Sequence, residues 1–285
     1  MSVTPVRLSI ITPAFNAARY LQACVENVAG QGIAGVEHLV VDGGSADGSV
    51  ALLERLSATH SALRWVSESD RGQSDALNKG AALARGALIG VLNADDHYEP
   101  GVLRRVVELF AASPDLDLLV GACNVRDGEG RLVYVNRPRF LSASAILMGF
   151  EFPVNPAAYF YRMALHDRAG GFDVDDHYSM DLDFLLRAVR VGRYRYINEI
   201  WGNFVMWPGA KTTQDKGSGR ARARVAAVRR RHLATLSGPD RVLVRAARPW
   251  VVLQRKLVNT LKRPRETLAR YANALRRLLD ASAEG

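Results

Sequence analysis

Two carboxylates stand side by side in Asn93-Ala94-Asp95-Asp96, directly after the apolar run ALIGVL at residues 87–92. Adjacent acids repel each other and raise the cost of ionisation. A hard cation such as Mg²⁺ or Mn²⁺, which binds through one or two carboxylates plus other oxygens, would balance them. A solvated acidic turn is the simpler alternative for the pair taken alone. Three earlier turns carry side chains with chemistry of their own. Thr12-Pro13-Ala14-Phe15-Asn16 offers a rigid proline turn and a ring that either stacks on a planar base or packs in the core. Asp42 opens the turn Asp42-Gly43-Gly44-Ser45-Ala46-Asp47-Gly48-Ser49. Its carboxylate can accept from a base N–H or a ribose hydroxyl, or can serve the turn; Asp47 or Ser49 reads as a helix N-cap. In the segment Asp70 to Gly80, Arg71 suits a base or a phosphate and Lys79 supplies a point charge. Either one fits a solvated helix equally well.

These turns matter only if the elements before them bring them together. Residues 8–11, 37–41, 63–66 and 87–92 are short apolar runs that read as strands. Between them lie segments of helical period. Ala18, Leu21, Cys24, Val25 and Val28 share a face; Val50, Leu53 and Leu56 point inward in the next; residues 75–84 follow, unbroken until Gly80. A helix after Glu99-Pro100-Gly101 runs through Phe110. Repeated strand–helix units imply an α/β fold, a mostly parallel sheet flanked by helices. Ligands in such sheets bind beyond the carboxyl ends of the strands. From 117 to 160 the pattern changes to short strands, with Asp127-Gly128-Glu129-Gly130 as a turn. Residues 180–191 read as a helix after Gly170-Gly171-Phe172-Asp173, and 194–197 as a strand.

The chain has 285 residues, 48% apolar and 24% charged, which is the composition of a globular protein and excludes a disordered one. Its two cysteines, Cys24 and Cys123, have no metal-cluster or disulfide spacing, which points to a reducing, cytoplasmic setting. The first residues show no signal peptide, and no run is long and apolar enough for a membrane span. The first turn lacks the glycine fingerprint of a dinucleotide-binding Rossmann fold.

In order and spacing, the four turns resemble those of the family 2 glycosyltransferases of the GT-A fold. The resemblance covers residues 8–100, with weaker agreement at 170–187. The matching motifs are Pro13-Ala14-Phe15-Asn16, Asp42 to Gly48, Ala76-Leu77-Asn78-Lys79-Gly80 and Asn93-Ala94-Asp95-Asp96. It implies that Pro13, Phe15, Asn16, Asp42, Arg71 and Lys79 bind the nucleotide, that Asp95 reaches the ribose or the metal shell, and that Asp96 holds Mn²⁺ or Mg²⁺. Two positions depart from the commoner pattern. Asn93 stands where aspartate is frequent, which puts that position in doubt as a ligand, and Gly43 stands where a second aspartate is frequent. Asp181-Leu182-Asp183-Phe184-Leu185-Leu186-Arg187 matches the acidic head of the family's base helix, with Met180 replacing the first acid. Asp181 is therefore the expected base. Asp183 is a support or an alternative, although the helix dipole and Arg187 four residues on account for it too.

The implied reaction is a single inverting displacement that moves one sugar from a nucleotide-diphosphate sugar, a UDP-sugar, to a hydroxyl of a glycan or lipid-linked acceptor. Cell-surface polysaccharide or glycolipid synthesis would use such a step. The membrane spans and Gln-x-x-Arg-Trp motif of processive relatives do not occur. His177 and the segment 207–212, with Lys211, fit either a loop over the diphosphate or an ordinary linker. The expected division is a catalytic domain at 1–217, with halves 1–121 and 122–217, and a basic helical extension at 218–285. The net charge of +9 is uneven: residues 218–285 hold 17 Arg/Lys against 4 Asp/Glu, which leaves 1–217 at −4. Amphipathic stretches at 225–231 and 265–279, and Trp250-Val251-Val252-Leu253 before Arg255-Lys256, fit an anionic membrane surface, so a peripheral place on the inner face is expected. A cap on the catalytic domain, an oligomer interface or nucleic-acid contact fits the tail as well, but nucleic acid leaves the acidic turns unexplained. The departures at Asn93 and Met180 are also what a catalytically inactive relative would show. Pro249 and Pro264 read as breaks or first-turn residues.

Overall fold

The computed structural model describes residues 6–207 and 219–262. Lys211, Pro264 and the amphipathic stretch at 265–279 lie outside the described residues. Nine strands form one sheet in the order β3-β2-β1-β4-β8-β6-β9-β5, with β7 pairing on β6. Four parallel strands make up the first half: β1 (Leu8–Ala14), β2 (Val36–Asp42), β3 (Leu63–Ser67) and β4 (Leu88–Val91). The expected α/β architecture is present, but the parallel character is confined to these strands and to the β6–β9 pair. β8 (Tyr159–Arg162) inserts antiparallel between β4 and β6 (Leu118–Asp127), so the whole sheet is mixed. β9 (Tyr194–Met206) runs parallel to β6 and is far longer than the sequence pattern predicts, because its outward residues break the apolar run. β7 (Leu132–Asn136) returns from the expected turn at 128–130, and β5 (His97–Tyr98) pairs with β9.

These directions decide where the turns go. β1 to β4 all end on one edge. Because β8 is antiparallel to β4, its start lies on that edge, as does the end of β9. Six chain segments, distant in sequence, thus meet there.

Helices cover both faces. α1 (Ala18–Ala29) buries Leu21, Cys24, Val25 and Val28, the i, i+3, i+4, i+7 face its sequence specifies. α2 (Ser49–Thr59) packs beside it through Leu52, Leu53 and Leu56. Val50 is only half-buried; Ser49 goes inward instead, because its hydroxyl accepts from Ala17 N–H at 3.0 Å and holds the two turns together. α4 (Val102–Ala111) covers the same face further along. On the opposite face lie α3 (Gln73–Leu83), α5 (Ala143–Met148), α6 (Met163–Ala169) and α7 (Met180–Val191). A Cβ on Gly80 of α3 would sit 2.4 Å from Ile11 Cγ2 of β1, so only glycine lets this helix lie so close to the sheet.

Two further helices, α8 (Arg220–Ala234) and α9 (Gly238–Lys262), follow. They pack on the catalytic part rather than standing apart: Val228 and Val244 are buried in the same core as Leu77 and Phe184. Full burial of one such side chain is worth about 1.5–3 kcal/mol. Pro249 neither breaks nor starts a helix. It lies inside α9, where it has no N–H to donate to the carbonyl four residues earlier. No described helix is long and apolar enough to cross a membrane.

Candidate active site

The edge where the segments meet holds a cavity of about 790 Å³. Pro13, Phe15 and Asn16 form one wall, and Asn93 and Asp95 line the cavity with them. Phe15 is 66% exposed, an aromatic face turned to solvent rather than to the core. Such a ring is placed to stack on a base. Asn16 has φ +49°, a left-handed conformation that Asn tolerates. Its Oδ1 accepts from Ala46 N–H at 3.1 Å, and its own N–H donates to the Ser45 hydroxyl at 2.7 Å. Asn16 thus ties the first turn to the second.

The second turn differs from expectation. Asp42 is wholly buried and absent from the cavity lining. Its carboxylate accepts from Gly44 N–H at 3.1 Å, Ser45 N–H at 2.9 Å, the Ser67 hydroxyl at 2.7 Å and the Ser45 hydroxyl. Three of those donors meet Oδ2 and one meets Oδ1, and the fully buried carboxylate has no face open to a base in the cavity. The cavity instead receives Asp70. Its Oδ1 accepts from Gly72 N–H at 2.7 Å, and a Cβ on Gly43 would come within 2.6 Å of its Oδ2. The glycine that departs from the usual pattern therefore makes room for an acid from the next turn.

Arg71 and Lys79 are not brought to the cavity. The Arg71 side chain is 69% exposed beside Asp75, and Lys79 Nζ donates to Ser69 O at 2.8 Å and pairs with Glu68 at 2.9 Å. Both hold the outer surface of α3.

The two carboxylates of the acidic turn separate. Asp95 lines the cavity, and its Oδ2 accepts from the Trp207 indole N–H at 2.9 Å. Asp96 is buried away from it, accepting from Asn155 Nδ2 at 2.7 Å, Asn93 Nδ2 at 2.9 Å and Val205 N–H at 3.2 Å. Burial first, and then the Asp95 charge, push the Asp96 carboxyl up to about 7, against the lowering effect of the two asparagines and the Val205 N–H. Of the two, Asp95 is the carboxylate open to the cavity, and the buried Asp96 is not. One cavity carboxylate is a sufficient protein contribution for Mg²⁺ or Mn²⁺ when substrate phosphates complete the shell. No group of three or more acid, histidine or cysteine side chains placed to hold a metal ion occurs among the described residues. Asn93 accepts from Gln73 Nε2 at 2.9 Å while donating to Asp96, so it acts as a strut between α3 and the acidic turn.

On the facing wall stand His177, Met180 and Asp181. Asp176 starts α7 by accepting from Tyr178 N–H and Ser179 N–H, both at 2.9 Å. Asp181 then reaches the cavity from the first turn, and Tyr159 of β8 donates its hydroxyl to Asp181 Oδ1 at 2.9 Å. Asp183 points the other way. It is 3% exposed and takes Arg187 Nε at 2.9 Å, Arg231 at 2.6 Å and His232 Nε2 at 2.7 Å. Burial alone would raise its pKa; the His232 hydrogen bond and the Arg187 and Arg231 charges outweigh that and hold it well below the usual carboxylate range. Asp183 is thus a latch for α8, the support among the two roles expected of it, and it does not line the cavity. Sequence reading gave no role to Asp70, Tyr159 and Asn155, and named Trp207 only as the first residue of the 207–212 segment. Tyr159 and Asn155 had no local signal, since their relevance depends on an antiparallel β8.

A parallel nucleotide-binding type of half-sheet, extended by a mixed half that returns its last strand to the same edge, defines the GT-A class of transferases. Solved structures share it. S. aureus TarS 1–349 in complex with UDP-GlcNAc superposes with a TM-score of 0.69 at 17% identity, covering 84% of this chain and 70% of that one. The mannosyltransferase PcManGT from Pyrobaculum calidifontis, in complex with GDP-Man and Mn²⁺, gives 0.59 at 22% identity over 96% and 82%. Residues 9–170 match the model of glycosyl transferase family 2, and the chain belongs to that family. An uncharacterised glycosyltransferase of Mycobacterium tuberculosis, Rv1514c, is 34% identical over 65% of this chain and 69% of its own length. Chondroitin synthase of Escherichia coli is 28% identical over 70% of this chain, which spans only 29% of that synthase.

Proposed function

We propose that this glycosyltransferase moves one sugar from a UDP-sugar to a hydroxyl of a glycan or lipid-linked acceptor, with inversion and with Mn²⁺ or Mg²⁺ bound at Asp95. The observation that carries the reading is that Asp95 and Asp181, from opposite halves of the chain, line the same cavity beside an exposed Phe15. The donor-bound neighbours, one with UDP-GlcNAc and one with GDP-Man and Mn²⁺, support a nucleotide-sugar as the ligand class.

In this mechanism Phe15 stacks on the base and Asp70 accepts from its N–H. Asp181 takes the proton of the acceptor hydroxyl as that oxygen bonds to the anomeric carbon and the bond to the diphosphate breaks. Tyr159 donates to Asp181 Oδ1 at 2.9 Å and so fixes the orientation of the carboxylate at the cavity wall. A divalent cation at Asp95 would offset the charge growing on the departing diphosphate. No covalent intermediate is needed.

Thermal shift with UDP-, GDP- and other nucleotide-sugars, each with and without Mn²⁺, tests the donor. Metal-dependent stabilisation by UDP-sugars, followed by slow hydrolysis to UDP that Asp181→Asn abolishes, is the expected outcome. An absence of any metal-dependent nucleotide response would refute the reading and favour an inactive relative.

A further inference from the structure

The C-terminal helices carry a second cavity, away from the one just described. It has a volume of about 510 Å³ and lies between α5, α8 and α9. Arg229 and Arg230 reach it from α8 and Arg245 and Arg248 from α9, against an apolar wall that includes Leu147 and Leu233. Among the described residues none of the four forms an ion pair, whereas Arg231, next in sequence, has two acids. Arg229 Nε is buried with no hydrogen-bond partner. Burial, and then the charges of Arg248 and Arg255, destabilise its cationic form. Concentrating like charges without acids is unfavourable unless an anion joins them.

Beside the cavity, α9 turns an apolar stripe to solvent. Val242, Trp250, Leu253 and Leu257 are 68%, 69%, 48% and 54% exposed. Their spacing of eight, three and four residues keeps them on one helical face about 22 Å long. The opposite side of α9 is fixed to the protein by buried Val244 and by Arg255 donating to Gly149 O at 2.9 Å. The stripe therefore faces outward by construction. Arg245 and Lys256 flank it, and both are exposed.

We infer that this surface docks on an anionic bilayer, with α9 lying in the interface and the arginine cavity seating the phosphate headgroup of an anionic phospholipid. An apolar face with basic flanks is what an interfacial helix requires, and the surplus of 13 positive charges over residues 218–285 supplies the matching long-range attraction. The cavity adds a defined headgroup position, where guanidinium forks match phosphate oxygens.

The test is sedimentation of the full chain with vesicles of phosphatidylcholine alone or mixed with phosphatidylglycerol. Retention only on the mixed vesicles, weakening as salt rises, is expected. Arg245→Gln with Arg248→Gln should weaken binding roughly 30-fold, on the order of fivefold per basic residue. Trp250→Glu with Leu253→Glu should abolish it. On the unmodified chain, lipids brominated in the upper acyl chain should quench tryptophan emission, and Trp250→Phe should remove that quenching. The quenching decides the matter should the double variants melt early. Equal retention on both vesicles, or stabilisation by inorganic phosphate without retention on vesicles, overturns the inference. So does a dimer that Trp250→Glu with Leu253→Glu converts to monomer, since the stripe would then be a contact between copies. None of these readouts depends on sugar transfer.

Discussion

Asp95 and Asp96 are neighbours in sequence with the same side chain, yet their surroundings give them different work. Asp95→Asn should raise the Mn²⁺ concentration needed for turnover by at least tenfold while leaving the fold intact, as a metal titration of activity would show. Asp96→Ala should instead unfold more easily, by about 2–4 kcal/mol, because the Asn93 and Asn155 amides and the Val205 N–H lose their acceptor. Denaturant titration separates the two. If the Asp96 variant kept wild-type stability and lost metal response, the metal would belong there. Asp181→Asn removes the proposed general base and should cut kcat by about 10²–10⁴-fold, with nucleotide affinity by calorimetry unchanged. The type of chemistry at these positions was legible in the sequence, since two acids in a turn already demand compensation. Their individual roles were not. The burial of Asp96 depends on Asn155 and Val205, 59 and 109 residues away. The occupation of Asp42 likewise depends on Ser67, from a different strand.

At the scale of elements, α7 serves two masters. Its first turn presents Asp181 to the cavity and Asp183 to α8, so the extension is anchored two residues from the proposed base. The Arg190 guanidinium donates to His232 Nδ1 at 2.7 Å, which leaves the proton on Nε2 to be donated to Asp183. Breaking a buried ion pair typically costs about 3–5 kcal/mol. Since the Arg231 side chain is 54% exposed, Asp183→Ala should cost less, about 2–3 kcal/mol by denaturant melt. The folded pKa is depressed, so this contribution is present above the unfolded value of about 3.9 and is lost as pH falls below it. The variant should therefore show a flatter loss of stability below pH 4 than the wild type. An unchanged acid limb would mean the latch contributes nothing. The bounds of α7 were readable from its period. α5 was not, because six residues cannot display a helical repeat.

Over the whole molecule, the division after residue 217 marks a change of charge, not a change of core. Val228 and Val244 complete the cluster that holds α7, so the extension acts as the outer wall of the catalytic part. A chain ending at 217 should melt markedly lower than the full one and expose apolar surface to a hydrophobic dye. Independent folding with an unaltered melt would restore the two-part division. Composition could locate the basic surplus, but only packing could say that α8 and α9 use their inner sides for the protein and keep the apolar stripe outside.

The bond from Trp207 to Asp95 gives the molecule an optical reporter of its own. A cation and diphosphate held at Asp95, as proposed, would compete for the oxygen that the indole now holds, so loading should change the environment of one chromophore among four. Titrating Mg²⁺ with UDP should shift tryptophan emission in the wild type and leave Trp207→Phe silent. A shift that survives the substitution would place the signal elsewhere. Donor occupancy could then be followed in real time, without a label and before any sugar is transferred.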